Sequence, residues 1–198
     1  MMKTTLACIA GAALFAIGGN AHAQISYNYL EAGYQFSTTT IQDVEIDGNG
    51  IRAGLSYSPI NNFFGFLDAD WASLDTDEDA SVFDLTAGVG IYYPVASAVD
   101  LVGRAAWKFS SFDISDVSGF DDLDDDNGVT FDVGVRAMVG PTFELGAFVG
   151  WESVGDLGDG AVIDAYGLFH VNRQLGIGAA AAFGDDADGF RAFLRYNF

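Results

Sequence analysis

The side chains able to do chemistry fall into two patterns. In the first, single ionisable residues interrupt apolar stretches at even spacings. They are Glu31, Arg52, Asp68, Asp70, Asp84, Arg104, Lys108, Asp132, Arg136, Glu144, Glu152, Asp164, Arg191 and Arg195. Carboxylates and guanidiniums held on one side of a scaffold make either an ion-pair network or the polar lining of a narrow passage. Arg136 and Glu144 flank one short connection and can pair diagonally. Arg195 and Glu31 become neighbours if the first and last segments meet. In the second pattern, acids cluster between the apolar stretches. Asp43, Glu45 and Asp47 form one group, Asp75, Asp77, Glu78 and Asp79 another, and Asp113, Asp116, Asp121, Asp122, Asp124, Asp125 and Asp126 a third. Asp122, Asp124 and Asp126 alternate like the start of a calcium loop. Gly128 comes one place late for the required turn, and no Glu follows at the closing ligand position. These three are candidates for weak, diffuse divalent-cation uptake by a solvated acidic fringe, not for a discrete metal centre.

Enzymatic constellations are missing from the sequence. His170 is the only histidine beyond the N-terminal segment, and no Ser-His-Asp set or metal cluster can be assembled around it. It is expected to be a hydrogen-bond partner inside the fold. No catalytic residue, cofactor or bound metal is expected.

The elements that position the first pattern are strands. From Gln24 onward apolar and polar residues alternate with period two, the signature of strands whose faces meet different surroundings. About ten strands in five hairpins are expected: near 26–36, 49–57, 63–71, 82–93, 101–110, 129–139, 143–152, 161–171, 174–183 and 189–198. The third and eighth are less clean, and eight strands is the alternative if they fail. Within these spans every ionisable residue shares a face with its polar neighbours, and the apolar face holds none. A charge on a lipid-facing position costs about 2–4 kcal/mol at mid-membrane, so a bilayer would impose this segregation. Aromatics mark the ends of the apolar face: Tyr57, Phe63, Tyr93, Phe143, Phe169 and Tyr196 at the short connections, Trp71, Phe83, Phe109, Phe131, Trp151 and Phe183 at the long ones. Such girdles belong at membrane interfaces. The expected fold is an all-β, transmembrane, antiparallel up-and-down barrel. Inward glycines, among them Gly54, Gly88, Gly90, Gly134, Gly146, Gly150, Gly176 and Gly178, would leave space in its lumen.

Composition narrows the function classes. With 28 Asp+Glu against 8 Lys+Arg, the chain has a formal net charge of −20, which argues against nucleic acid as a partner. Aromatics at 14% argue against disorder despite the charge. No run after the N-terminus is long and apolar enough for a spanning helix, so a membrane crossing must be a closed barrel. The N-terminus itself reads as an export signal over residues 1–23. Lys3 is followed by an apolar core and by Ala21-His22-Ala23, with cleavage expected between Ala23 and Gln24. Residues 24–198 would then form the barrel, without cysteine, since Cys8 lies in the signal.

The ending Phe190-Arg-Ala-Phe-Leu-Arg-Tyr-Asn-Phe198 carries a resemblance. Its alternating Phe190, Leu194, Tyr196 and Phe198 resemble the terminal assembly signal of bacterial outer-membrane β-barrels. The opening Ile25-Ser-Tyr-Asn-Tyr-Leu-Glu-Ala-Gly-Tyr34 is similar to the start of small barrels of xanthomonads. Together with the strand pattern, the chain resembles the small outer-membrane β-barrel superfamily, which includes OmpA/OmpX-type and porin-like proteins. The resemblance implies residence in the bacterial outer membrane as a monomer. It also implies contact with lipid and lipopolysaccharide, and passage through periplasmic chaperones and the barrel assembly machinery. It carries over no catalytic residue. The expected role is structural, in envelope integrity, with a lumen largely filled by charged side chains. A narrow passive channel for small polar solutes is the alternative, and surface adhesion through the loops a third.

Overall fold

The computed structural model describes residues 25–41, 44–75, 80–114, 125–155, 158–185 and 187–198. Their alternating segments form ten strands: β1 (Tyr29–Ile41), β2 (Val44–Ile60), β3 (Phe63–Leu74), β4 (Ala80–Ala96), β5 (Val99–Ile114), β6 (Asp126–Val139), β7 (Phe143–Val154), β8 (Gly158–His170), β9 (Leu175–Gly184) and β10 (Ala187–Asn197). Each pairs antiparallel with its sequence neighbours, and β1 pairs with β10, closing the barrel. Closure removes every open edge, which is what permits strands to cross hydrocarbon. The weaker third and eighth segments both form strands, so ten is the count and the eight-strand alternative is excluded.

One end of the barrel carries the short turns and both described chain ends. Asn62 and Gly140 sit in two of these turns at φ 72° and 70°. Asn tolerates that left-handed conformation and Gly adopts it freely. The other end carries the longer connections. By the usual topology of such barrels the short-turn end is periplasmic and the long-loop end extracellular.

The outer face is an apolar band. Val133, Val149 and Ile177 are 62%, 53% and 52% exposed, while Arg136 and Arg195, pointing inward, are each only 4% exposed. A water-soluble barrel would reverse this arrangement; a lipid-facing one requires it.

The structure corrects the expected boundaries in three places. The first strand begins at Tyr29, and Ile25–Asn28 instead turn into the barrel mouth. The β4 strand runs through Pro94 to Ala96, with an irregularity between Pro94 and Ala96 that absorbs the missing amide donor. Several strands also extend past the loop-side aromatics. On those extensions the outward face turns polar: Asp47, Asp113, Asp159 and Asp188 are exposed there. Within the shorter expected spans the apolar face carries no charge; these acids stand on the extensions beyond them, where strands rise above hydrocarbon.

Candidate functional site

The inward side chains sort into two levels, set by register. At the periplasmic level Glu144 is the hub, its side chain only 1% exposed. Arg136 Nε and Nη2 donate to Glu144 Oε1 at 3.0 and 2.7 Å. Tyr166 Oη donates to the same oxygen at 2.6 Å, and Arg195 Nη1 reaches it at 3.4 Å. His170 Nε2 lies 3.3 Å from Oε2. Arg136 stands opposite Gly146, and Glu144 opposite Met138, so the two meet on the diagonal. Arg195 comes from β10, three strands away, and ties that wall to β7. It also holds Glu31, its direct partner across the closing seam, at 2.9 Å.

This level is capped from below by the segment before β1. Tyr27 is 4% exposed and stacks on Tyr92 with ring centroids 4.0 Å apart. Its hydroxyl donates to Asp100 at 3.0 Å, and its carbonyl accepts from Ser56 Oγ at 2.8 Å. Burial pushes the Tyr27 phenol well above its ordinary pKa, so it remains a donor. Arg136 Nη2 donates to the Ser26 carbonyl at 3.0 Å and places its guanidinium 4.5 Å from the Tyr27 ring centre. Ile25, Tyr27, Phe64, Val102, Met138 and Phe148 form one apolar cluster around this stopper.

The inward glycines do not leave the space expected of them. A Cβ on Gly88 would strike the ring of Phe66, one on Gly90 the ring of Phe64, and one on Gly134 the ring of Phe148. Gly146 faces the ring of Tyr166 in the same way, and Gly178 that of Phe193. Each ring lies over the glycine directly opposite on the neighbouring strand. The glycines are sockets, so aromatic rings share the filling of the lumen with the charged groups.

The second level lies toward the extracellular end. Arg52 sits between Asp68 at 3.1 Å and Asp70 at 3.2 Å. Arg104 holds Asp132 at 2.7 Å and lies 4.2 Å from the Phe148 ring centre. Lys108 bridges Glu152 at 2.8 Å and Asp84 at 3.5 Å, and Ser110 donates to Asp84 at 2.6 Å. These side chains are more exposed than the Glu144 hub; Arg104, for example, is 27% exposed. Between the levels lies a cavity of about 60 Å³, lined among others by Arg52, Arg104, Asp164 and Arg191. Arg191 reaches Glu31 only at 3.7 Å, and among the described residues Asp164 makes no salt bridge. At the loop end Ile46, Leu74 and Ala80 form a small apolar cluster with Val82.

All fourteen expected lumen charges thus face inward, and thirteen of them take part in ion pairs. Asp164 stands apart. Asp126 opens β6 opposite Ser110, whereas Asp122 and Asp124 lie outside the described residues. Among the described residues no three acids or histidines gather as a metal site. Phe190, Leu194, Tyr196 and Phe198 all face outward on or just after β10. Ala21 and Ala23 lie outside the described residues. Sequence reasoning missed Asp100 and Tyr27. Asp100 shares parity with Val102 and Arg104, so one more residue of strand would have found it. Tyr27 sits on non-strand backbone, where parity gives no signal.

With this geometry established, known proteins offer a comparison. A family model described as outer membrane protein beta-barrel domain matches residues 7–151. A search of curated proteins finds no match. Among solved structures, the NanC porin superposes with a TM-score of 0.55 at 10% identity, over 85% of this chain and 100% of that one. The translocator domain of the autotransporter NalP from Neisseria meningitidis gives 0.51 at 11% identity, over 89% and 91%. The beta domain of the Bordetella autotransporter BrkA gives 0.51 at 15% identity, over 87% and 100%. These likenesses establish the fold alone.

Proposed function

The chain belongs to the outer-membrane protein β-barrel domain family and resides in the bacterial outer membrane, and on that premise we propose that it is a non-catalytic structural barrel serving envelope integrity. The observation that carries this reading is the periplasmic half of the lumen. There Tyr27 and the Glu144 hub pack rings and paired charges across the bore. A barrel of this size is close to the width that side chains can fill.

The same reading assigns the surroundings. The apolar band is to face lipid, and the exposed acids above it are to meet lipopolysaccharide. Residues 1–23 are to be removed on export. Phe190, Leu194, Tyr196 and Phe198 are to be read by the assembly machinery after delivery by periplasmic chaperones. The barrel is to act as a monomer, without nucleic acid, metal or cofactor. A narrow passive channel for small polar solutes is the second reading, favoured by the cavity of about 60 Å³ between the two levels.

Planar-bilayer recording of the refolded barrel separates the two. We expect a flat baseline or brief low-conductance flickers from the natural protein. Large, stable, porin-like steps would overturn the structural reading. In cells, loss of the protein is expected to raise sensitivity to detergents without slowing uptake of small solutes; the opposite pair of phenotypes would favour the channel.

A further inference from the structure

The ion pairs of the lumen leave two groups unspent, and both face the same cavity. Among the described residues Asp164 makes neither a hydrogen bond nor a salt bridge, and meets Arg191, Arg104 and Arg52 only through space. Arg191 has one carboxylate, Glu31, at 3.7 Å, and that carboxylate is already held by Arg195 at 2.9 Å. Among the described residues the buried Arg191 Nε–H has no acceptor. Arg52, Arg104, Arg136 and Arg195, by contrast, each hold at least one carboxylate at 2.7 to 3.1 Å. A buried donor left unmatched, beside a half-buried carboxylate without a counter-ion, costs free energy unless something else completes it.

We propose that this cavity binds a small zwitterion of the amino-acid type, its carboxylate on Arg191 and its ammonium on Asp164. A simple anion would satisfy Arg191 and leave Asp164 bare, and a simple cation would do the reverse. A zwitterion completes both without adding net charge to a low-dielectric lumen. Size agrees. A water takes up at least 10–15 Å³ of such space, so about 60 Å³ accommodates roughly four or five heavy atoms. The wall beside the site carries small residues toward the extracellular side: Ala180 and Ala182 stand opposite Arg191 and Asp164, and Gly189 follows toward the loop end. A Cβ on Gly189 would meet only the Phe36 carbonyl, at 3.3 Å. Below, Tyr27 lines the floor, with Arg136 against its ring.

The test is titration of the full barrel, refolded in detergent micelles, with glycine, acetate and methylammonium, followed by calorimetry or ligand-observed NMR. We expect saturable glycine binding in the natural protein, and at least tenfold weaker acetate and methylammonium binding. Arg191→Gln and Asp164→Asn are each expected to weaken glycine at least tenfold. Should either variant fail to fold, Ala182→Leu, which crowds the wall beside Asp164 while keeping both charges, is expected to abolish binding. The proposal fails if glycine does not saturate, if it binds all three variants as it binds the natural barrel, or if acetate binds as tightly as glycine and ignores Asp164→Asn. The last result would mean a plain anion site.

Discussion

The two halves of the lumen are built from the same residue types and differ in how completely they are closed. In the periplasmic half one carboxylate, Glu144, is shared by Arg136, Arg195, Tyr166 and His170, and rings cover the guanidiniums. In the extracellular half Lys108, Arg104 and Arg52 each hold their own acids in a wetter setting, and Asp164 is left over. Burial and not charge count decides what an ion pair is worth. A dry pair broken on one side strands an unpaired charge, whereas a hydrated one merely exchanges its partner for water.

That contrast can be broken by substitution. The largest effect is expected for Glu144→Gln, which takes from Arg136 its carboxylate partner in the dry half and leaves Arg195 with Glu31 alone. It should cost about 3–5 kcal/mol in reversible urea unfolding from lipid vesicles. A loss below about 1 kcal/mol would mean that water reaches the hub. Next comes Gly90→Ala, which drives a methyl into the ring of Phe64 and should cost about 1–3 kcal/mol. The same change in a Phe64→Leu background should cost clearly less, and a double-mutant cycle reads the difference. Equal costs in both backgrounds would mean that the socket is not specific to its ring. The smallest effect is expected for Lys108→Gln. Its partner Glu152 is 36% exposed, so the loss should be about 1 kcal/mol or less by the same unfolding measurement. A loss matching that of Glu144→Gln would erase the distinction between the halves.

Much of this was legible from residue parity. Alternation placed Val133 and Val149 outward, Arg104 and Arg136 inward, and the closing seam where Glu31 meets Arg195. Parity works because the pleat and the bilayer enforce the same period. It failed where that coupling lapses. Ile25–Asn28 is not strand, so nothing in its alternation revealed a stopper. Asp47 and Asp188 fall outside the spans that parity assigned, on strand that rises above hydrocarbon, where the bilayer no longer censors their face. Gly90 and Gly146 were misread as empty because a sequence shows the missing side chain but not the ring that occupies its place. The leftover valence of Asp164 and Arg191 is likewise invisible until distances are known.

The ring-over-glycine pairs bear on how such a barrel finds its alignment. A slip of two residues between β3 and β4 would keep every oily side chain in lipid, so the membrane could not reject it. It would, however, push Phe66 against Thr86 or set Phe64 against Tyr92, in place of the glycines these rings now cover. Between β6 and β7 the same slip would press Phe148 onto Asp132 or Arg136 in place of Gly134. The rings therefore act as proofreading teeth, rejecting the near-miss alignments that hydrophobic sorting alone would pass.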